Sequence, residues 1–197
     1  MKRIWKPLVL ILVIGIMAAD VFIDQRAIAQ SQTETSVQSD LDLPVGTKVG
    51  ELAPNFTGTT LDGETIRLSD LRGKTVLINV FASWCGPCRL EMPHLVEAAD
   101  QFEDQEVVFV GINLQENSEA VQAFRDEFNV QFPLVLNEDG SLTNNLYTPI
   151  GLPTSWFIDQ DGVVRYVFAG AMTREVLQNV LTDVITGREP DPFGTSG

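Results

Sequence analysis

Hydrophobic and polar positions change their pattern several times along the chain. The first apolar feature is an unbroken run from Leu8 to Ala19, preceded by Lys2, Arg3 and Lys6 and followed by Asp20 and Asp24. A basic flank ahead of an apolar core is the layout of an export signal. The run has 12 residues, short against the roughly 20 that a spanning helix needs. Ile4–Ile23 reaches 20, with Lys6 and Asp20 near its ends, where charged groups can reach the interface. Ala27-Ile28-Ala29 supplies a small-x-small cleavage triplet. Residues 1–29 are therefore a signal peptide or an uncleaved signal anchor. In either case the basic flank stays cytoplasmic and the remainder is exported.

Residues 30–48 are rich in Ser, Thr, Gln and Asp, with Pro44 and Gly46. This composition predicts a solvated, flexible linker. At the other end, residues 187–197 hold Pro190, Pro192 and little to pack, which predicts a disordered tail.

Between them, over 49–186, short strand patterns alternate with helical ones. Phe56–Thr60 and Thr65–Leu68 flank Asp62-Gly63, a hairpin turn signal. Ser69–Leu71 suits one helical turn. Thr75–Phe81 and Val107–Ile112 are continuous apolar runs, the pattern of strands buried on both faces. From Cys88 to Phe102, apolar Leu95, Val96, Ala99 and Phe102 recur at helical spacing, with Pro93 predicted to kink the helix. Asn117 or Ser118 caps a helix to Phe128, Phe132–Leu136 is a short strand, and Leu142–Tyr147 is a helical turn. Ser155–Ile158 and Val163–Phe168 form a second hairpin across Asp159–Gly162. Thr173 caps a last helix that buries Val176, Leu177, Val180, Leu181, Val184 and Ile185. A strand–helix–strand unit requires a parallel pair, and a following hairpin extends the sheet antiparallel. The fold class is α/β, a mixed central sheet with helices on both faces.

Composition narrows the function. With 13 Lys+Arg against 27 Asp+Glu the formal charge is −14, which argues against nucleic acid as a partner, since counterion release needs a basic surface. Without residues 1–29 the charge is −16, so the exported part repels anionic headgroups. Two cysteines and one histidine exclude a disulfide-dense scaffold, a four-cysteine zinc site and an HExxH protease.

Both cysteines lie in Trp84-Cys85-Gly86-Pro87-Cys88, between a buried strand and a helix. As a staple the pair closes a minimal loop and stabilises little. As a redox pair it is well placed, because unpaired N–H groups and the dipole at a helix start favour a thiolate. Cys85 is then the exposed attacking thiol and Cys88, one turn in, the shielded resolving thiol. A copper or zinc site from Cys85, Cys88 and His94 is the competing reading, though it offers few ligands.

The stretch around Cys85–Cys88, together with Pro93 and Gly151-Leu152-Pro153-Thr154, resembles thioredoxin. That likeness implies a cis-proline at Pro153 facing a Cys85–Cys88 disulfide. The wider match resembles the extracytoplasmic thiol–disulfide oxidoreductases of the ResA, TlpA and CcmG type, within the AhpC/TSA and redoxin-like group. It rests on Ala53–Phe56, Leu68–Lys74, Phe132-Pro133 and Gly170–Thr173, and covers about 49–186. The resemblance implies a thioredoxin fold with an N-terminal β-hairpin and an insertion before the cis-proline loop. Peroxiredoxins share the opening pattern, but their TxxC setting is absent here.

Asn79 stands where thioredoxin has a buried aspartate, and an amide cannot take the proton of Cys88. Glu91, on the helix face of Cys88, and Glu116, after the second buried strand, are the carboxylates that could substitute; a plain solvated role is the alternative for each. Trp84, Leu152, Pro153, Gly170 and Ala171 are expected to form an apolar groove for a partner's cysteine-bearing segment, with Gly86 and Pro87 supporting the active site. The resemblance further implies exported, cysteine-containing protein substrates, apocytochrome c or another exported protein, and a membrane thiol-electron donor. It places the protein in the periplasm or on the outer face of the bacterial cytoplasmic membrane and implies no cofactor. A tethered binding or chaperone module using the same groove, and a disulfide oxidant, are the other functions compatible with the sequence.

Overall fold

The computed structural model describes residues 43–194. The export segment and most of the linker lie outside the described residues, and within them no helix is long and apolar enough to cross a membrane. The strands are β1 (Thr57–Thr60), β2 (Thr65–Arg67), β3 (Thr75–Phe81), β4 (Val107–Asn113), β5 (Leu134–Leu136), β6 (Thr154–Ile158) and β7 (Val164–Ala169). The helices are α1 (Gly86–Gln101), α2 (Ser118–Phe128), α3 (Ser141–Asn145) and α4 (Arg174–Ile185). Each lies within a few residues of where the apolar pattern predicts it. The main difference is that α1 begins at Gly86 rather than Cys88, because Cys85 itself caps it.

The seven strands form one mixed sheet in the order β2-β1-β5-β4-β3-β6-β7. β3, β4 and β5 are parallel, whereas β6, β7 and the β1–β2 hairpin run antiparallel to their neighbours. The chain steps from β3 through α1 to β4, then through α2 to β5, in one direction across the sheet. Right-handed crossovers in one direction put both helices on the same face. α4 joins them there, and the core of this face gathers Leu95, Phe124 and Leu177 over Leu77 and Phe81 of β3. The opposite face is covered by α3, a 3₁₀ turn at Leu68–Leu71 and non-helical chain, with Phe56, Leu68 and Tyr147 packed against Ile78 and Trp156. Helices thus lie on both faces, the three long ones together on one.

All seven residues of β3 are buried. Side chains alternate across a strand, so Val76, Ile78 and Val80 serve one core and Leu77 and Phe81 the other. By the same alternation Asn79 points to the side of α1, a polar group under the helix that carries the cysteines.

Two boundaries differ from the expectation. The linker was expected to extend to Lys48, yet the domain's contacts begin at Pro44: Gly46 N–H donates to Leu52 O at 2.9 Å, and Trp156 Nε1–H reaches Thr47 O at 3.2 Å. Val45 also bridges to Leu52. The polar composition hides this because backbone groups, which every residue carries, make most of the contacts. The expected tail is likewise tied down as far as it is described. Asp183 on α4 accepts from Arg188 Nε and from Asp191 N–H, each at 2.9 Å.

One buried hydroxyl adds to the backbone bonds that hold the chain before β1. Tyr147 is fully buried, and its O–H donates to Pro54 O at 2.7 Å. Tyr147→Phe leaves that carbonyl without the bond while preserving the ring packing. Urea unfolding of the variant should show a loss of about 1–3 kcal/mol, the usual penalty for an unsatisfied buried acceptor.

Candidate functional site

Strand β3 ends against the helix-covered core, and the chain then turns through Ala82, Ser83 and Trp84 into α1. Two side chains brace this turn. Glu116 accepts from Ser83 N–H at 2.7 Å, from the Ser83 hydroxyl, and from Asn113 Nδ2–H at 2.7 Å. Arg89 donates from Nη1 to Ser83 O at 3.2 Å. Its guanidinium lies 5.1 Å from the Phe128 ring centre and pairs with Glu127. The Glu116 carboxylate is thus engaged in holding the approach to Cys85.

Cys85 is the N-cap of α1, with extended backbone, and its Sγ accepts from Cys88 N–H at 3.2 Å. Gly86 and Pro87 follow in the first turn, where the proline's missing N–H costs no helical bond. Cys85 and Cys88 form a disulfide with Cα atoms 5.3 Å apart. Cys85 was expected to be exposed. It is 5% exposed, against 1% for Cys88, because the disulfide draws its sulfur toward the helix start. It is still the more accessible of the two. Trp84 beside it is 68% exposed.

On the loop before β6 the peptide bond Leu152–Pro153 is cis. Pro153 is buried and Leu152 half-buried against the core that contains both cysteines. Pro153 O accepts from Gly170 N–H at 2.8 Å, joining the two loops expected to wall the groove. Gly170 has φ +118°, a backbone conformation suited to glycine. Ala171 is exposed and Gly170 half-buried.

The carboxyl of Glu91 lies one turn beyond Cys88 and is 1% exposed. One oxygen accepts from Asn79 Nδ2–H at 3.0 Å, the other from Met172 N–H at 3.0 Å. Burial outweighs these two bonds and raises the pKa from 4.5 to about 7. His94, one turn further, places Nδ1 at 3.1 Å from Met172 O. The histidine therefore faces the loop before α4, and both sulfurs are joined to each other. Among the described residues no three His, Cys, Asp or Glu side chains converge to hold a metal.

Two participants are not evident from the sequence. Ser155 Oγ accepts from Asn79 Nδ2–H at 2.9 Å, and the Met172 peptide clamps Glu91 and His94. Strand register alone pairs Asn79 with Ser155, so knowledge of the β3–β6 pairing was the missing signal.

A dithiol pair capping a helix on this mixed sheet, with a cis-proline loop, defines a thioredoxin-like thiol–disulfide oxidoreductase. The comparisons agree. The model of the AhpC/TSA family matches residues 49–167, and the chain belongs to that family. It is 34% identical over 137 residues to the thiol-disulfide oxidoreductase ResA of Bacillus thuringiensis subsp. konkukian, covering 70% of this chain and 79% of that one. It is 37% identical over 139 residues to the thioredoxin-like protein YneN of Bacillus subtilis, covering 70% and 81%. Among solved structures, a thioredoxin-family thiol:disulfide interchange protein of Chlorobium tepidum aligns with TM-score 0.61 and 28% identity over 68% of this chain and 94% of that one. A secreted Mycobacterium tuberculosis disulfide oxidoreductase, homologous to E. coli DsbE, aligns with TM-score 0.58 and 27% identity over 67% and 95%.

The buried carboxyl makes stability depend on pH. Glu91 binds its proton more tightly folded than unfolded, so its burial is harmless below about pH 4.5 and most costly above about pH 7. Glu91→Gln should therefore gain stability relative to the parent as pH rises through this window. Denaturant unfolding of the oxidised protein at several pH values checks this, the expected gap widening toward pH 8.

Proposed function

We propose that the chain reduces disulfides in exported proteins, with the cysteines of the haem-attachment site in an apocytochrome c as one target class. The observation that carries this reading is the Cys85–Cys88 disulfide at the start of α1, with the Cys88 N–H on the Cys85 sulfur. Gly86-Pro87 between the cysteines matches the reducing thioredoxins in sequence.

In the reduced enzyme the N–H groups and dipole of α1 stabilise a thiolate on Cys85. That thiolate attacks one sulfur of the partner's disulfide, and the partner's other sulfur leaves as a thiolate. Cys88, as its thiolate, then attacks the Cys85 sulfur of the mixed disulfide. The partner departs with both sulfurs reduced, and the enzyme keeps the disulfide seen here. Two electrons have passed to the partner, and a thiol carrier at the membrane restores them.

Trp84, Leu152, Pro153, Gly170 and Ala171 form the groove that receives the partner segment, with Trp84 as its exposed apolar rim. Glu91 takes up and returns protons as the thiols open and close, and Asn79 supports it. Glu116 positions the turn into Cys85. The secreted relative and the N-terminal run Leu8–Ala19 support an exported location, in the periplasm or held to the outer face of the cytoplasmic membrane by an uncleaved anchor.

Cys85→Ser should abolish reduction of a protein disulfide, and Cys88→Ser should accumulate a mixed disulfide through Cys85. Full function in Cys85→Ser would instead identify a binding or chaperone module. The reduction potential should fall near thioredoxin's roughly −270 mV; a value near the roughly −120 mV of the strong oxidant DsbA would overturn the reducing direction.

A further inference from the structure

Asn79 holds the one buried side-chain oxygen or nitrogen among the described residues that lacks a hydrogen-bond partner, its Oδ1. The residue is 2% exposed, and an unsatisfied buried carbonyl is costly. Its Nδ2 end is fully used, one hydrogen going to Glu91 at 3.0 Å and the other to Ser155 Oγ at 2.9 Å. Why a core amide should waste its acceptor is answered by its two partners. Each can change from acceptor to donor. A carboxylate only accepts, whereas a protonated carboxyl donates, and a hydroxyl rotates to do either.

We propose that Asn79 is a positioning residue whose side-chain amide turns over when Glu91 gains or loses a proton. With Glu91 ionised, Nδ2 faces the carboxylate and Ser155, as in this structure. With Glu91 protonated, a half-turn about the Cβ–Cγ bond brings Oδ1 to the same place. It then accepts from the Glu91 O–H and from the Ser155 hydroxyl. Two bonds are kept in either state, and one end of the amide is idle in either state. The idle Oδ1 is thus what a switch with two symmetric positions requires. An aspartate here could not behave in this way while ionised, because it has no donor to offer.

The other contacts leave the turnover as the adjustable element. Met172 N–H is held to the second Glu91 oxygen and can remain there through both states. On α1, Cys88 is tied in the disulfide and His94 is engaged by Met172 O. At the start of α4, Arg174 is paired at the surface with Glu97. Ser155 sits directly opposite Asn79 in the β3–β6 register, so the sheet fixes their separation. Reduction of the disulfide to two thiols takes up two electrons and two protons. A carboxyl beside Cys88 that retains its partners in both states can exchange a proton without loosening the core. This rests on the proton role proposed for Glu91 but not on the direction of electron flow.

The test follows the oxidised full chain by nuclear magnetic resonance, with isotope-labelled glutamate carboxyl carbons and asparagine side-chain nitrogens, from about pH 5 to 9. The Asn79 amide signals should shift with the same midpoint as the Glu91 carboxyl. In Glu91→Gln they should be flat across the range. Asn79→Leu, close in volume, should move the Glu91 midpoint upward by about one unit, a tenfold change in proton affinity. Asn79 signals that stay fixed while Glu91 titrates overturn the proposal, as does a Glu91 that does not titrate in this range. Both readings use wild-type protein, so a variant that fails to fold does not decide the matter. No substrate is involved, so failure here is distinct from failure of Cys85→Ser to lose activity.

Discussion

A carboxyl buried beneath a catalytic helix must be hydrogen-bonded or protonated, and the region around the disulfide is arranged by that demand. Glu91 reaches Asn79 on β3 and the Met172 peptide ahead of α4. It thereby ties together the strand below the cysteines, the helix carrying them and the loop ahead of α4. His94 doubles the link to Met172, and Gly170 passes it on to the cis-proline loop. The elements that surround the disulfide are therefore coupled through a small polar cluster inside an otherwise apolar core.

The second carboxylate has a different task. Glu116 and Arg89 grip Ser83 from its N–H, hydroxyl and carbonyl. A turn between a strand and a helix would otherwise leave those groups to solvent beside the reacting sulfur. Two residues of one type, both candidates for proton handling by sequence, are separated by burial. One is enclosed and has a raised pKa; the other is a brace at the half-exposed entrance to α1. Environment, rather than residue type, distinguishes them.

Much of the architecture was legible before any coordinates. The apolar runs at Thr75–Phe81 and Val107–Ile112 marked the central parallel strands because a strand buried on both faces cannot alternate. Caps at Asn117 or Ser118 and at Thr173 were legible because such side chains act within a few residues; the structure uses Asn117 and Thr173, and both accept from the N–H three positions on. The fold then followed from the handedness of the crossovers. The contacts of Pro44–Lys48 and the hold of Asp183 on the C-terminal segment were not legible. The first depends on backbone groups and on Trp156, 109 positions from Thr47, and the second on a turn that returns Arg188 and Asp191 to Asp183; composition reports neither.

The sequence by itself determined the chemistry: two cysteines spaced to bond at a helix start, a proline loop to face them, and two carboxylates within reach. The cysteine pair is a local fact of spacing and residue type; the facing proline loop and the carboxylates were implied by the resemblance to thioredoxin-like reductases. The tertiary structure decided which groups those residues meet. It buried Glu91, set Ser155 opposite Asn79 across the sheet, and brought Met172 to α1. Each of these depends on strand register and helix docking, which bring together residues as much as 81 positions apart. The proton affinity of a carboxyl is set by such neighbours, so it was fixed only when the chain had folded.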